Sequence, residues 1–468
     1  MKRISNQPRL PIFLGVLLIV GGFICNVWTL TYLFSEDNRI VSLKLRGIIW
    51  VVQCSCLIAG ILILRFWRRQ HMDYFVVHCG MPAMLLATSL FVCSLGLYWL
   101  LETFPQLISG PLIKIPHFAY LSRWVPDADL VARRRQGVSQ TYYGFRGDLY
   151  SPNYGVSTKP MTYRATFAAN GFRSHDSAPG ANVVVIGDSY VEFGLNENDT
   201  FPAHLQNVCG LKVKNLGRAW YGPDQYLAVL KRYGLDHGAT TAVVCFFEGN
   251  DIGDIQEYQR WKTGGHYHGF RLTRQMPFLK RYTVAVDEIT RAIGKPRNNV
   301  ADPHDVIPPS EKNQPIHPDM VELELGDQRV VAKFGYNNEL REPETLLQSE
   351  IFTHLREVLE EFKEVCAGPG IELIVLYIPT KAHIYAKYTT EKSGEPWLKI
   401  KHKQIAAQGW LEQSVSQLCA KIQVRWVSLT PAFEEAARNG ELLFYPFDTH
   451  WNTEGRQLAA EVVASQLN

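Results

Sequence analysis

One stretch of the sequence, residues 181–194 (ANVVVIGDSYVEFG), constrains the fold more than any other. Its β-branched run at residues 183–186 is typical of a strand buried on both faces of a parallel sheet. Gly187, Asp188 and Ser189 follow directly; a glycine there allows a sharp turn, and an aspartate can cap the next helix. Ser189 is therefore predicted at the carboxyl end of a parallel strand, where open α/β sheets bind their ligands. The same three residues also fit an ordinary strand-to-helix turn.

The pattern that follows residue 181 predicts the fold class. Strands are predicted at residues 183–186, 212–215, 242–247, 372–377 and 424–428, and helices at residues 202–208, 223–233, 351–366, 403–421 and 453–466. Such alternation predicts an α/β fold with a doubly wound parallel sheet. An insertion is predicted at about residues 257–343, with a hairpin that turns at Gly326 and Asp327.

Three apolar runs without charged residues precede this pattern, at residues 11–34, 47–64 and 81–101. Each approaches the roughly 20 residues that cross a bilayer, so a small α-helical transmembrane region with three spans is predicted. Basic residues before the first run and after the second predict a cytoplasmic N-terminus, with the C-terminal part periplasmic or extracellular. The predicted parts of the chain are a membrane region at residues 1–104, a linker and lead-in at 105–180 and the α/β domain with its insertion at 181–468.

Composition excludes some functions and leaves others open. The net charge of +3 is too small to indicate a nucleic-acid partner. None of the nine cysteines forms a C-x-x-C pair, so no zinc site is predicted. No other metal site and no cofactor is predicted either. A disulfide among Cys209, Cys366 and Cys419 is left open.

Four further residues supply the partners that a nucleophilic Ser189 needs. Gly217 follows the second predicted strand, where a glycine can bring its N–H close to a ligand. Asn250 follows the third strand and offers a side-chain amide that can donate to an oxyanion. Asp448 and His450 lie two residues apart before the last helix, close enough for the carboxylate to orient the imidazole.

Together these motifs resemble the SGNH (GDSL-like) hydrolase superfamily, from residue 183 to the C-terminus and outside the insertion. The Asp-x-His spacing is similar to that of the membrane-associated branch that acetylates extracellular polysaccharides. The resemblance implies a flavodoxin-like sheet, with Ser189 as nucleophile, His450 as base and Asp448 orienting it. It also implies an oxyanion hole made of the N–H groups of Ser189 and Gly217 and the side chain of Asn250.

Two other positions bear on the same resemblance. Pro379, Thr380 and Lys381, which follow the fourth predicted strand, resemble the corresponding segment of that branch. Lys381 is a candidate for lining the substrate groove, with an exposed loop lysine as the alternative. Tyr190 stands where the motif's name has leucine, and the sequence gives it no role.

The resemblance implies an enzyme, a membrane-anchored serine acyl-ester hydrolase or O-acyltransferase that works through an acyl-serine intermediate. The expected substrate is an acylated envelope or exported glycan, with the lipid bilayer and a membrane acyltransferase as further partners. The alternative is a non-catalytic glycan-binding or assembly scaffold with an SGNH-like fold.

Overall fold

The structure is a computed structural model, and it divides the chain into two compact units. One unit comprises residues 1–123 and 275–298, and the other comprises residues 124–274 and 299–468. The residues that the structure describes are 9–24, 26, 29, 43–66, 81–104, 107, 124–134, 139–145, 160–168, 170–173, 180–235, 238–263, 282, 285–286, 289, 320–334, 349–406 and 409–467. The bounds predicted at residues 104 and 180 stay predictions.

The described elements of the first unit are helices. They are α1 (Arg9–Ile24), α2 (Leu43–Phe66) and α3 (Met81–Thr103). Helices α1 and α2 pack closely through glycines: a Cβ built on Gly60 would lie only 2.8 Å from the carbonyl oxygen of Gly15. The backbones can approach this far because neither position carries a side chain.

The predicted three-span membrane region, and the localisation drawn from it, are wrong. Within the ranges that the structure describes, no helix is both long enough and apolar enough to span a bilayer. Helix α1 shows one physical reason, because its 16 residues rise only about 24 Å while the hydrocarbon core measures roughly 30 Å. The first apolar run extends to residue 34, but the helix ends at Ile24, where the side chain of Asn26 donates to the carbonyl of Phe23.

The second unit contains all the described strands. In chain order they are β1 (Trp124–Asp127), β2 (Val131–Arg134), β3 (Ser139–Phe145), β4 (Pro160–Thr166), β5 (Val183–Gly187), β6 (Val213–Gly217), β7 (Thr241–Phe247), β8 (Val321–Leu325), β9 (Gln328–Ala332), β10 (Glu372–Ile378) and β11 (Arg425–Ser428). Five of them form one sheet in the order β11-β10-β7-β5-β6, and all neighbours are parallel. This flavodoxin-like order confirms the predicted doubly wound α/β fold.

Helices cover both faces of this sheet. They are α4 (Ser189–Glu192), α5 (Phe201–Cys209), α6 (Pro223–Val229), α7 (Asp251–Lys262), α8 (Glu350–Ala367), α9 (Lys381–Tyr385), α10 (Glu395–Ala406), α11 (Trp410–Ile422), α12 (Thr430–Arg438) and α13 (Thr453–Ala464). Side chains of β5 alternate between two apolar cores, with Val183 and Val185 in one and Val184 and Ile186 in the other. Because each face of β5 packs against an apolar core, every side chain of this strand is apolar.

Three smaller points of the sequence analysis concern the same unit. Strands β8 and β9 pair antiparallel around Gly326, whose φ is +56°, which confirms the predicted hairpin. Helix α7 ends at Lys262, inside the predicted insertion. Cys209, Cys366 and Cys419 are all free thiols.

Candidate active site

Ser189 lies at the carboxyl edge of the sheet, on the first turn after β5. The strand ends at Gly187, and the Oδ1 atom of Asp188 accepts a hydrogen bond of 2.9 Å from the N–H of Tyr190. Asp188 thus caps the four-residue helix α4, on which Ser189 is the first residue. The predicted strand–turn–helix therefore presents Ser189 where the strand order reverses, between β5 and β7.

Two glycines let α4 sit directly on the end of the sheet. Gly187 and Gly217 are paired in the register of β5 and β6. A Cβ on Gly187 would lie 2.6 Å from Cγ2 of Val191, and a Cβ on Gly217 would lie 2.5 Å from Cβ of Val191. Such contacts are too short for any side chain, so both glycines are needed to seat the helix that carries Ser189.

We expect Gly217→Ala to displace α4, because the added methyl group would also lie 2.6 Å from the backbone nitrogen of Glu192. Overpacking of this kind costs about 1–3 kcal/mol, so the melting temperature should fall, and turnover should fall with it. Gly253→Ala is the control, since nothing lies within 4 Å of its Cβ. Thermal unfolding and ester turnover of the purified variants check this; an unchanged Gly217→Ala protein would contradict it.

The structure brings Ser189, His450 and Asp448 together. The Oγ atom of Ser189 lies 2.8 Å from Nε2 of His450. The other ring nitrogen of His450, Nδ1, is hydrogen-bonded to Oδ1 of Asp448, and the same oxygen accepts the His450 backbone N–H at 2.8 Å. A hydroxyl, an imidazole and a carboxylate in this order can move a proton from the serine to the histidine.

The charge state of Asp448 suits this arrangement. Burial alone would raise the pKa of its carboxyl, but the charge and hydrogen bonds of His450, with a smaller effect of Lys381, outweigh burial and hold the pKa below its ordinary value. The carboxylate therefore stays ionised at neutral pH and can stabilise a protonated imidazole.

Tyr190 joins the helix of Ser189 to the loop of His450, a role that sequence reasoning missed. Its hydroxyl donates to the carbonyl oxygen of Thr449 at 2.5 Å, and its ring centroid lies 5.1 Å from that of His450. The ring of Phe193 also packs on the imidazole, edge-on, with 4.9 Å between the two ring centroids. The only signal in the sequence is that Tyr190 stands where the GDSL motif has leucine. A tyrosine there adds the hydroxyl that bonds the Thr449 carbonyl.

Lys381 is buried rather than exposed on a loop. Only 2% of its surface is accessible, and its Nζ donates to the carbonyl oxygens of Tyr445 and Pro446 at 2.8 and 2.9 Å. These carbonyls begin the loop that leads to Asp448. Lys381 therefore holds that loop through its backbone, and a direct contact with substrate stays a prediction.

Gly217 is in place, but its N–H is already engaged. It donates to the side-chain oxygen of Asn215 at 2.9 Å, and the next N–H, of Arg218, donates to the carbonyl of Gly187 at 2.8 Å. Asn215 is buried within β6 and folds back on its own strand. The predicted oxyanion donor would have to leave this partner to reach a substrate.

Asn250 stands at the N-terminus of α7 without capping it. Its side chain makes no capping hydrogen bond, and its Oδ1 atom is buried without a hydrogen-bond partner among the described residues. The side chain instead interacts with Asp188, where it lowers the pKa. Asn250 therefore adjoins the residue before the candidate nucleophile, and a capping role does not explain it.

Three buried carboxyl groups near Asn250, in Asp188, Asp251 and Asp254, interact with one another. Burial raises the pKa of Asp188 to about 6, and burial together with mutual repulsion raises those of Asp251 and Asp254 well above their ordinary value. Asp251 is hydrogen-bonded to the hydroxyl of Tyr226 and the N–H of Phe247, both at 2.9 Å. Among the described side chains, no group of three or more His, Cys, Asp or Glu residues could hold a metal ion.

Comparison with known families and structures adds one firm match. Residues 336–468 match the family described as SGNH hydrolase-like domain, acetyltransferase AlgX; this part includes Lys381, Asp448 and His450 but not Ser189. No protein of the curated set matches the chain significantly in sequence.

Solved structures are similar only at a distance. An extracellular lipase from Streptomyces rimosus is 13% identical, with a TM-score of 0.32, covering 62% of this chain and 99% of the lipase. A carbohydrate esterase family 2 enzyme with a carbohydrate-binding domain, from Corynascus thermopiles, is 10% identical, with a TM-score of 0.28, covering 71% of this chain and 86% of the enzyme. These likenesses indicate nothing about activity.

Proposed function

Since the chain carries an SGNH hydrolase-like domain that matches the acetyltransferase AlgX family, we propose that it is a serine-dependent acyl esterase or O-acyltransferase. The observation that carries the proposal is the 2.8 Å distance between Oγ of Ser189 and Nε2 of His450. Asp448 on the far side of the imidazole completes the arrangement. A scaffold without catalysis would not require these three groups to be aligned, so the non-catalytic alternative is not favoured.

In the proposed mechanism, Nε2 of His450 accepts the proton of the Ser189 hydroxyl as the oxygen attacks the acyl carbon. The Asp448 carboxylate stabilises the imidazolium that forms. The imidazolium then protonates the departing alkoxide, which leaves an acyl-serine. Water or a sugar hydroxyl next attacks this ester, His450 takes the incoming proton, and Ser189 is released as the alcohol.

The tetrahedral intermediate needs donors that are in place before the reaction. We propose the N–H of Ser189 and the side-chain amide of Asn250 as these donors, each worth on the order of 3 kcal/mol in the transition state. Asn250 is favoured because its side chain is not used as a helix cap and interacts with Asp188, the residue before Ser189. The Gly217 N–H would join them only after it leaves Asn215.

The proposed substrate is an acylated glycan, and the proposed acyl group is acetyl, as in the family whose model matches. A second protein that supplies acyl groups is a proposed partner if the chain is a transferase. Hydrolase and transferase share every step up to the acyl-serine, so the acceptor distinguishes them.

Trapping the acyl-serine tests the proposal. The full-length chain is mixed with 4-nitrophenyl acetate, quenched in acid and digested, and the peptide that contains Ser189 is examined by mass spectrometry. We expect an acetyl group on this peptide and none in the Ser189→Ala chain. Absence of both acetylation and ester consumption would overturn the function.

We expect Asn250→Ala to lower kcat by roughly 100- to 1000-fold with little change in KM, because an oxyanion donor acts mainly in the transition state. Steady-state kinetics with 4-nitrophenyl acetate measure this. Asn196→Ala is the control, since Asn196 does cap its short helix through Asn198; it should affect stability slightly and kcat not at all. An Asn250→Ala protein with normal kcat would remove Asn250 from the site.

A further inference from the structure

A buried pair of titratable side chains that the proposed mechanism does not use joins the ends of two neighbouring strands. Glu248 directly follows β7 and His383 lies in α9, and only 8% and 5% of their surfaces are exposed. Nδ1 of His383 lies 2.9 and 3.0 Å from the two carboxylate oxygens of Glu248. A buried ion pair is often no more stabilising than apolar side chains of the same size, because removing charges from water costs free energy. Stability alone therefore does not explain Glu248 and His383.

Each member of this pair favours the charged form of the other. Burial would raise the pKa of Glu248, but the charge and hydrogen bond of His383, with the hydrogen bonds of Thr380, outweigh burial and hold the pKa below its ordinary value. Burial would lower the pKa of His383, but the charge and hydrogen bond of Glu248 outweigh burial and raise it. Glu248 is therefore an ionised acceptor at neutral pH, which strengthens every hydrogen bond that it accepts.

Glu248 also holds the first turn of α9. The backbone N–H of Thr380 donates to Oε2 of Glu248 at 2.7 Å. The hydroxyl oxygen of Thr380 accepts the N–H of His383 at 3.1 Å and so caps the helix. The backbone N–H of Glu248 donates to the carbonyl of Ile378 at 3.0 Å, just past the paired ends of β7 and β10. One residue thus fixes where α9 begins relative to the end of β7.

Helix α9 begins with Lys381, which reaches the loop of the candidate base. The Nζ atom of Lys381 donates to the carbonyl oxygens of Tyr445 and Pro446 at 2.8 and 2.9 Å. Pro446 stands two residues before Asp448, which is bonded to His450. Printed contacts of the chain therefore lead from Glu248, through the first turn of α9, to the loop that carries the carboxylate and the imidazole.

The chain on the other side of Glu248 leads to the candidate oxyanion donor, since Asn250 stands two residues further on. We propose that Glu248 is a positioning residue: through the first turn of α9 it sets the loop that carries Asp448 and His450. This inference rests on the proposed function and adds to it a residue that acts through others rather than on the substrate. A misplacement of about 1 Å can lower a rate roughly 100-fold, so such a residue affects turnover.

Kinetics of the full-length chain with 4-nitrophenyl acetate test this role. Glu248→Leu removes both carboxylate oxygens, and we expect kcat to fall roughly 100-fold. KM should change by less than about twofold, because the displaced groups act mainly in the transition state. In a Lys381→Met chain, adding Glu248→Leu should lower kcat by less than about threefold more, since the contact through which Glu248 acts is already lost.

The partner residue gives a second pair of variants, which can be measured even if Glu248→Leu does not fold. His383→Asn offers an amide N–H near the place of Nδ1 and should retain most of the turnover. His383→Leu offers no donor and should lower kcat by roughly tenfold or more, with KM again nearly unchanged. Rescue by asparagine distinguishes the hydrogen bond to Glu248 from simple packing, because leucine fills the same space.

Hydrogen–deuterium exchange of the same proteins gives a readout that does not depend on activity. The loop protects its own backbone: the N–H of Tyr445 donates to the carbonyl of His450 at 3.0 Å, and that of Asn452 donates to the carbonyl of Leu443 at 3.1 Å. We expect Glu248→Leu to speed exchange in the peptide at residues 443–452 by roughly tenfold, while the peptide of β5 keeps its rate.

Glu372→Leu is the matched control, because Glu372 lies at the other end of β10, is exposed and pairs with Arg425 at 2.8 Å; kcat and loop exchange should stay unchanged. The positioning role would be overturned by a folded Glu248→Leu chain with normal kcat, by losses that simply add to those of Lys381→Met, or by unchanged loop exchange. Faster loop exchange in Glu248→Leu, with an unmodified chain that consumes no ester, would support the coupling while refuting the proposed function.

Discussion

Ser189→Ala, His450→Ala and the double variant should each reduce kcat by about 10⁴-fold or more, and all three by nearly the same factor. The reason is that the hydroxyl is a poor nucleophile until the imidazole takes its proton. Once either group is lost, removing the other has little left to affect. Turnover of 4-nitrophenyl acetate by the three purified proteins measures this.

Folding must be shown to be intact for that comparison. Ser189 begins a short helix at the sheet edge, so its loss should leave the melting temperature nearly unchanged. Ser465→Ala is the control, because Ser465 is a helix-end serine whose hydroxyl bonds the carbonyl of Val462. Losses that add in the double variant would argue against a shared mechanism.

Asp448→Asn should lower kcat by about 10⁴-fold while the protein stays folded. The amide can occupy the same place, but its NH₂ can donate to Nδ1 of His450 and favour the wrong tautomer, and it cannot stabilise an imidazolium. Rate measurements across pH check the effect on the base. Asp327→Asn in the exposed hairpin turn is the control. A loss below tenfold would mean that another carboxylate orients His450.

Much of the sheet was predictable because its strands are buried on both faces. Residues 183–186 and 242–247 are short, apolar and bounded by polar or glycine turns, and they form the centre of the sheet as β5 and β7. Such a run has few alternatives in a globular chain. The positions of Ser189 and Asn250 then follow from the strand ends.

The contacts that complete the site were not predictable, since they depend on side chains that meet across the fold. The bond from Tyr190 to Thr449 joins residues far apart in sequence, and nothing local to either residue signals it. The sequence leaves Lys381 between a groove-lining residue and an exposed loop lysine, yet the side chain is buried and two backbone carbonyls accept its hydrogen bonds. The hydrogen bond from the Gly217 N–H to the Asn215 side chain depends on the rotamer of Asn215, which a sequence motif does not specify.

The first apolar run misled the prediction for a different reason. The apolar character of a segment indicates that it avoids water, but the length of a helix depends on where its hydrogen-bonding pattern stops. The side chain of Asn26 bonds the carbonyl of Phe23, just past the end of α1 at Ile24. An asparagine at a helix end is a local signal that a count of apolar residues does not include.

The separation of Ser189 from His450 also matters while the protein is being made. The two residues are 261 positions apart, and at about 5–20 residues per second this separation corresponds to about 13–50 s of synthesis. During that interval the nascent chain has Ser189 without the residue that we propose as its base. Under the proposed mechanism, a ribosome-bound chain would be unable to attack activated esters until synthesis is nearly complete.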